Sequence, residues 1–116
     1  MKIKIHDEEV ELRYSMRSFI IYEEIVGKSL NLEDINSLTS ITNLFYANVL
    51  ATLQYYGKPL DFTYDDFWRY IDDNGGVKII TEFSEWYMKQ LQAQADFNSL
   101  KTEKEVTETN NEKIKN

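Results

Sequence analysis

The sequence has no cysteine, one histidine, one proline, four glycines and fewer basic than acidic side chains. Lack of cysteine removes disulfides, thiolate nucleophiles and zinc sites built on Cys, and fits a reducing compartment. With His6 alone, neither a histidine metal cluster nor a Ser-His-Asp triad can be assembled. The glycines are too scattered for a phosphate cradle, and neither dinucleotide nor P-loop spacing occurs. No stretch approaches the roughly 20 apolar residues of a membrane span. The N-terminus goes directly into alternating Lys and Ile with no apolar leader, so the expected address is a cytoplasm.

The charge is uneven along the chain. Thirteen Lys and Arg stand against 20 Asp and Glu, for a net −7. Residues 99 to 116 hold four Lys and four Glu, and removing these leaves 9 basic and 16 acidic side chains before residue 99. Such a domain repels phosphate backbones, so no nucleic-acid partner is expected. Acidity also favours solubility, which suits a protein handling an aggregation-prone client. Apolar residues make up 42% of 116, enough for one modest core.

The patterning predicts an α+β fold, mostly α, with an N-terminal β-hairpin packed on a bundle of about four helices. In residues 2 to 14, Ile3 and Ile5 alternate with Lys2 and Lys4, and Val10, Leu12 and Tyr14 alternate with Glu9, Glu11 and Arg13. His6-Asp7-Glu8-Glu9 reads as the connection, with no Asn-Gly signal to set its turn type. Ser15 is the expected N-cap of a helix from Met16 to Val26, its hydroxyl accepting from a first-turn amide. Met16, Phe19, Ile20 and Glu23 form one line of that helix, and Ile21, Tyr22, Ile25 and Val26 widen it. Gly27 is its expected left-handed stop, and Glu24 and Lys28 are spaced to pair near that end. A short turn is expected at Leu32 to Asn36.

A second helix, Leu38 to Tyr56, is apolar nearly all round and belongs at the centre of a bundle. Gly57 and Pro59 close it. Thr63-Tyr64-Asp65-Asp66 has the capping-box pattern at the start of a short third helix, whose Tyr64, Phe67, Trp68 and Ile71 share a face. Asp72-Asp73-Asn74-Gly75-Gly76 interrupts the chain, and a last helix runs from Val77 to Ala95. The expected domain spans residues 1–97, and residues 98–116 read as a disordered or frayed tail.

No constellation carries catalysis, so a non-enzyme is expected. Glu23-Glu24, Asp65-Asp66 and Asp72-Asp73 are adjacent carboxylates, but neighbours on a helix diverge and acids in a first turn answer the helix dipole. Asp72-Asp73-Asn74-Gly75 lacks the alternating oxygen ligands and distant Glu of a calcium loop. No metal or cofactor is implied. Tyr55, Tyr56, Trp68, Tyr70, Trp86 and Tyr87 are the candidate partner-binding residues, because Trp and Tyr anchor interfaces. The competing reading buries Tyr56, Trp68 and Trp86 in the core.

Four stretches in order resemble the phage tail assembly chaperones of long-tailed bacteriophages. LRYSMRSFIIYEEIVGKSL (12–30) is similar to that family's Leu-Arg-Tyr strand, its Ser/Thr cap and its helix closing on Glu-x-x-Gly-Lys-Ser. LFYANVLATLQ (44–54) resembles its Leu-Tyr-Ala-Gly-Leu helix, and TYDDFWRYIDDN (63–74) its short acidic-aromatic helix, after which comes a last helix. The likeness covers about residues 1 to 95. Gly75-Gly76 departs from it where relatives often have Pro and an acid, and the segment after Asn98 has no counterpart. The resemblance implies a chaperone in virion morphogenesis that binds the tape measure protein in the host cytoplasm and keeps it soluble until tail-tube polymerisation. It further implies phage or prophage origin, the tail-tube protein and a frameshifted longer form as additional partners, and self-association. The charge alone supports a different class, an acidic phage inhibitor or DNA mimic that binds a host protein.

Overall fold

The computed structural model describes residues 1–31 and 36–115, with side chains to residue 99. The chain forms two compact units, Met1–Trp86 and Tyr87–Asn116. Two strands, β1 (Lys2–Ile5) and β2 (Glu8–Glu11), precede four helices: α1 (Met16–Val26), α2 (Leu38–Tyr55), α3 (Tyr64–Asp73) and α4 (Val77–Lys115).

The hairpin is tighter than the sequence suggests. Ile5 pairs with Glu8, so only His6 and Asp7 form the connection, and Glu8 and Glu9 belong to β2. Both turn residues have positive φ, 51° and 62°. That is the type I′ pattern, whose twist matches the flanking strands and which His and Asp adopt more readily than most residues. Ile3, Ile5, Val10 and Leu12 turn one face inward. On the outer side Lys2 pairs with Glu9 at 3.4 Å, while Glu8, opposite Ile5 at the end of the inner face, reaches Lys58. The Leu12 amide donates to the Met1 carbonyl at 2.7 Å, which carries the pairing one residue beyond β2.

Helix α1 has the expected bounds, and its inner face keeps Ile21 and Tyr22 of the expected arc but is centred nearer Ser18. Ser18, Ile21 and Tyr22 are buried, whereas Met16 is 74% and Ile20 45% exposed. The line drawn through Met16, Ile20 and Glu23 therefore looks outward. The Ser15 hydroxyl does not cap the helix. The Ser18 amide donates to the Ser15 carbonyl instead, and Ser18 Oγ donates to the same carbonyl at 2.6 Å, which lets the hydroxyl be buried. Gly27 ends α1 with φ 84°, its amide donating to Glu23 O. The turn expected at Leu32 to Asn36 falls largely on residues 32–35, outside the described residues.

Helix α2 is the centre of the N-terminal unit, as its all-round apolar composition requires, and ten of its residues are buried. Four polar groups inside find partners that keep the helix intact. Thr42 Oγ1 donates to Leu38 O at 2.8 Å and Asn48 Nδ2 to Leu44 O at 2.9 Å. Thr52 Oγ1 accepts from the Arg13 amide at 3.0 Å, and the buried Tyr46 hydroxyl donates to Phe62 O at 2.8 Å. The helix ends one residue before the expected Tyr56, in a Schellman motif. Gly57 N–H donates to Gln54 O and Lys58 N–H to Leu53 O, and Gly57 takes φ 67°.

The capping box of α3 is complete: Thr63 Oγ1 accepts from the Asp66 amide, and Asp66 accepts from the Thr63 amide, both at 3.1 Å. The Thr63 backbone N–H first, and then the Thr63 hydroxyl beside the carboxylate, hold the Asp66 carboxyl below its ordinary value. A core of aromatic rings follows from the spacing. Phe45 of α2 stacks on Phe83 of α4 with centroids 4.4 Å apart and meets the edge of Phe67 of α3 at 5.0 Å.

Helix α4 begins at Val77 as expected but does not stop at Ala95. Its backbone is helical to Lys115. The segment from 98, expected as a disordered or frayed tail, belongs to that helix. No glycine or proline follows Gly76 to end it, and Gln92 and Gln94 bond Asp96 and Asn98 at i, i+4. Among the described residues, no helix is long and apolar enough to cross a membrane.

Candidate functional site

The junction between hairpin and α1 lies against the last turns of α2. Thr52 fixes the Arg13 backbone, which carries the Arg13 guanidinium over the ring of Tyr55, 3.4 Å from its centroid. One turn into α1, Arg17 Nε donates to Gln54 Oε1 at 2.9 Å. Arg13, Ser15 and Arg17 thus face Ala51, Gln54 and Tyr55 across a cleft of about 230 Å³. Ala51 and Tyr55 are one helical turn apart, so the helix supplies a small residue as floor and a ring as wall.

Near this cleft and along the hairpin, Lys2 pairs with Glu9, Lys58 with Glu8 and the N-terminal ammonium with Glu11, while His6 Nε2 lies 3.4 Å from Asp61. Among the described residues, neither Arg13 nor Arg17 makes an ion pair. A guanidinium over a ring keeps its in-plane N–H groups for other acceptors, and Arg17 keeps its terminal nitrogens beyond the bond to Gln54.

The six aromatic candidates do not form one surface. Tyr55 is 65% and Tyr56 45% exposed, and their rings meet edge to face at 5.2 Å. Trp68 is half-buried against the edge of Tyr64, whose hydroxyl donates to Asn43 Oδ1. Tyr70 is also half-buried, on Phe67, and burial pushes its phenol up. It lines a separate cleft of about 440 Å³ with Lys2, Lys4, Glu9 and Glu82. Trp86 is half-buried beside Phe83. Tyr87 is 1% exposed and is corrected from a surface anchor to a core residue. It lies on the inward line of α4 one turn beyond Phe83.

Tyr55 was legible from the sequence, but Arg13, Arg17 and Gln54 were not selected. The signal available was the basic pair Arg13 and Arg17, one helical turn apart in an acidic chain. No group of three or more metal-ligating side chains occurs among the described residues. Comparison with protein-family models, curated proteins and solved structures returns no match to this chain. The arrangement suits non-covalent recognition: a ring for apolar contact beside two arginine forks for an oxyanion.

Proposed function

We propose that this protein is a non-enzymatic chaperone of phage tail assembly, which binds the tape measure protein and keeps it soluble until tail-tube subunits polymerise around it. The observation that carries this reading is the order of the resembling stretches, each of which coincides with an element: the junction and α1, the middle of α2, α3, and then α4. Two further features support it. Met16, Ile20, Ile25, Tyr55 and Tyr56 offer apolar surface outside the core, and the excess of acid keeps such a surface soluble. A long helix with apolar seams is the kind of client this surface fits. The protein acts in the host cytoplasm.

The test is a pull-down with the tagged full chain from phage-infected cells, with bound proteins identified by mass. Recovery of a very long helical phage protein, and its retention in the soluble fraction on co-expression, is the expected result. Recovery of a basic host DNA-binding protein, displaced by DNA and lost at high salt, would instead identify an acidic inhibitor. A tape measure protein that stays insoluble beside this chain would refute the proposal.

A further inference from the structure

We infer that the cleft between the hairpin–α1 junction and the end of α2 is a receptor for a carboxylate side chain, Glu or Asp, carried on a helix of the protein's partner. The argument starts from charge. In a chain of net −7, two arginines 4 positions apart face one cleft, and among the described residues neither forms an ion pair. Repulsion from the surrounding acids disfavours a polyanion such as a nucleic acid, whose many phosphates would all approach an acidic surface. A single carboxylate within an otherwise apolar helix face escapes most of that repulsion and gains both forks.

The geometry is prepared for such a group. Tyr55 holds the Arg13 guanidinium flat at 3.4 Å, and Gln54 holds Arg17 through Nε at 2.9 Å. Two arginines fixed by neutral partners lose little side-chain freedom when a carboxylate arrives. Beside them Ala51 and the exposed Tyr55 ring provide the apolar surface on which the stem of a Glu would lie. The carboxylate chemistry stands on these contacts alone, and only the helical form of the partner rests on the chaperone reading.

The experiment follows arginine Nε–H and tyrosine ring signals of the labelled full chain by NMR. The probes are an amphipathic helical peptide of about 20 residues with Glu flanking its apolar stripe, its Gln counterpart, sodium acetate and sodium phosphate. Charge-assisted fork bonds predict saturable shifts at Arg13, Arg17 and Tyr55 with the Glu peptide and binding weaker by about tenfold or more with the Gln peptide. Arg17→Gln, at an exposed position, and Tyr55→Ala should each weaken the Glu peptide several-fold. Arg17→Lys should recover only part, since a lysine lacks the planar fork. Equal binding of the two peptides, no saturable binding, or indifference to Arg17→Gln overturns the assignment. Saturation by phosphate or acetate at the same concentration as the peptide overturns it in favour of a simple anion site. Tape measure protein captured equally by wild type and Arg17→Gln sinks the carboxylate receptor and spares the chaperone. Glu-selective peptide binding with no tape measure protein captured does the reverse.

Discussion

Replacing Thr52 by valine tests whether one hydroxyl fixes the junction on which the cleft depends. Thr52 is buried, and its Oγ1 accepts the Arg13 amide at 3.0 Å across 39 residues of sequence. Valine keeps the shape but removes the acceptor. The lost bond contributes about 1 kcal/mol, and the partly buried amide left behind costs about 1–3 kcal/mol if water does not reach it. A methyl in place of the hydroxyl returns about 0.8 kcal/mol of apolar burial. The net expectation is a destabilisation of about 1–3 kcal/mol, measured by urea unfolding with an unchanged m-value. Thr52→Ser keeps the oxygen but loses a buried methyl, at a cost of about 1 kcal/mol. Stability alone therefore separates the two variants poorly, and the decisive readout is hydrogen exchange at the Arg13 amide. Exchange should accelerate by about tenfold or more in Thr52→Val beyond the change at neighbouring amides, and stay slow in Thr52→Ser. The Tyr55 ring signals should move in Thr52→Val as the guanidinium loses its fixed position. An Arg13 amide equally protected in both variants would refute the reasoning.

Other substitutions read other parts of the fold. Phe45→Ala removes the ring between Phe83 and Phe67, and a loss of about 3–5 kcal/mol is expected in the same unfolding assay. Gly57→Ala should cost about 1–2 kcal/mol although its new methyl would meet no atom within 4 Å, because the strain lies in φ 67° and not in packing. Thr63→Ala should lower stability by about 1 kcal/mol through loss of the N-cap. Asp66 supplies a pH signature. Its folded-state value lies below the ordinary 3.8, so the carboxylate stabilises the fold fully above that value and loses its contribution as pH falls through the lower folded one. The stability gap between wild type and Asp66→Asn should therefore be present at pH 6 and close in acid below pH 3.8, as followed by far-UV dichroism.

What the sequence made legible was local. Met16–Val26, the start of α2, the Thr63 box and the start of α4 are each set by a cap, a breaker or an apolar period within a few residues. The hairpin turn escaped because its φ values are positive at His6 and Asp7, residues that tolerate them without announcing them as Asn-Gly does. The inner face of α1 was misread because Ser18 counts as polar, yet it is buried once its hydroxyl bonds a carbonyl three residues back. Thr42 and Asn48 pass inside in the same way, each bonding the carbonyl four residues back. Counting every hydroxyl as solvated shifts the inferred face toward Met16 and Ile20. The end of α4 lies beyond the expected Ala95, because no breaker follows and Gln, Ala, Glu and Lys favour helix, so a helical backbone continues through the segment expected as disordered or frayed.

The cleft belongs to a different order of information. Arg13 and Tyr55 are 42 positions apart, and no period or cap connects them. They meet because Leu12 ends the buried face of the hairpin, Thr52 captures the next amide, and α1 then runs back along α2. A composition argument finds only an acidic domain, whereas the fold sets Arg13 and Arg17 on one cleft, and among the described residues neither forms an ion pair. The aromatic count misleads in the same manner: it weighs Tyr55 and Tyr87 alike, although one is 65% and the other 1% exposed. What separates them is the place on the helix each occupies: Tyr87 follows Phe83 on an inward line, while Tyr55 lies past the buried Leu53 at the last residue of α2, open to solvent beside Arg13. Helix ends next to chain junctions are where an aromatic can be held rigid and still be reached. An acidic chain that keeps two arginines at such an end has the asymmetry that recognition of a negatively charged side chain needs.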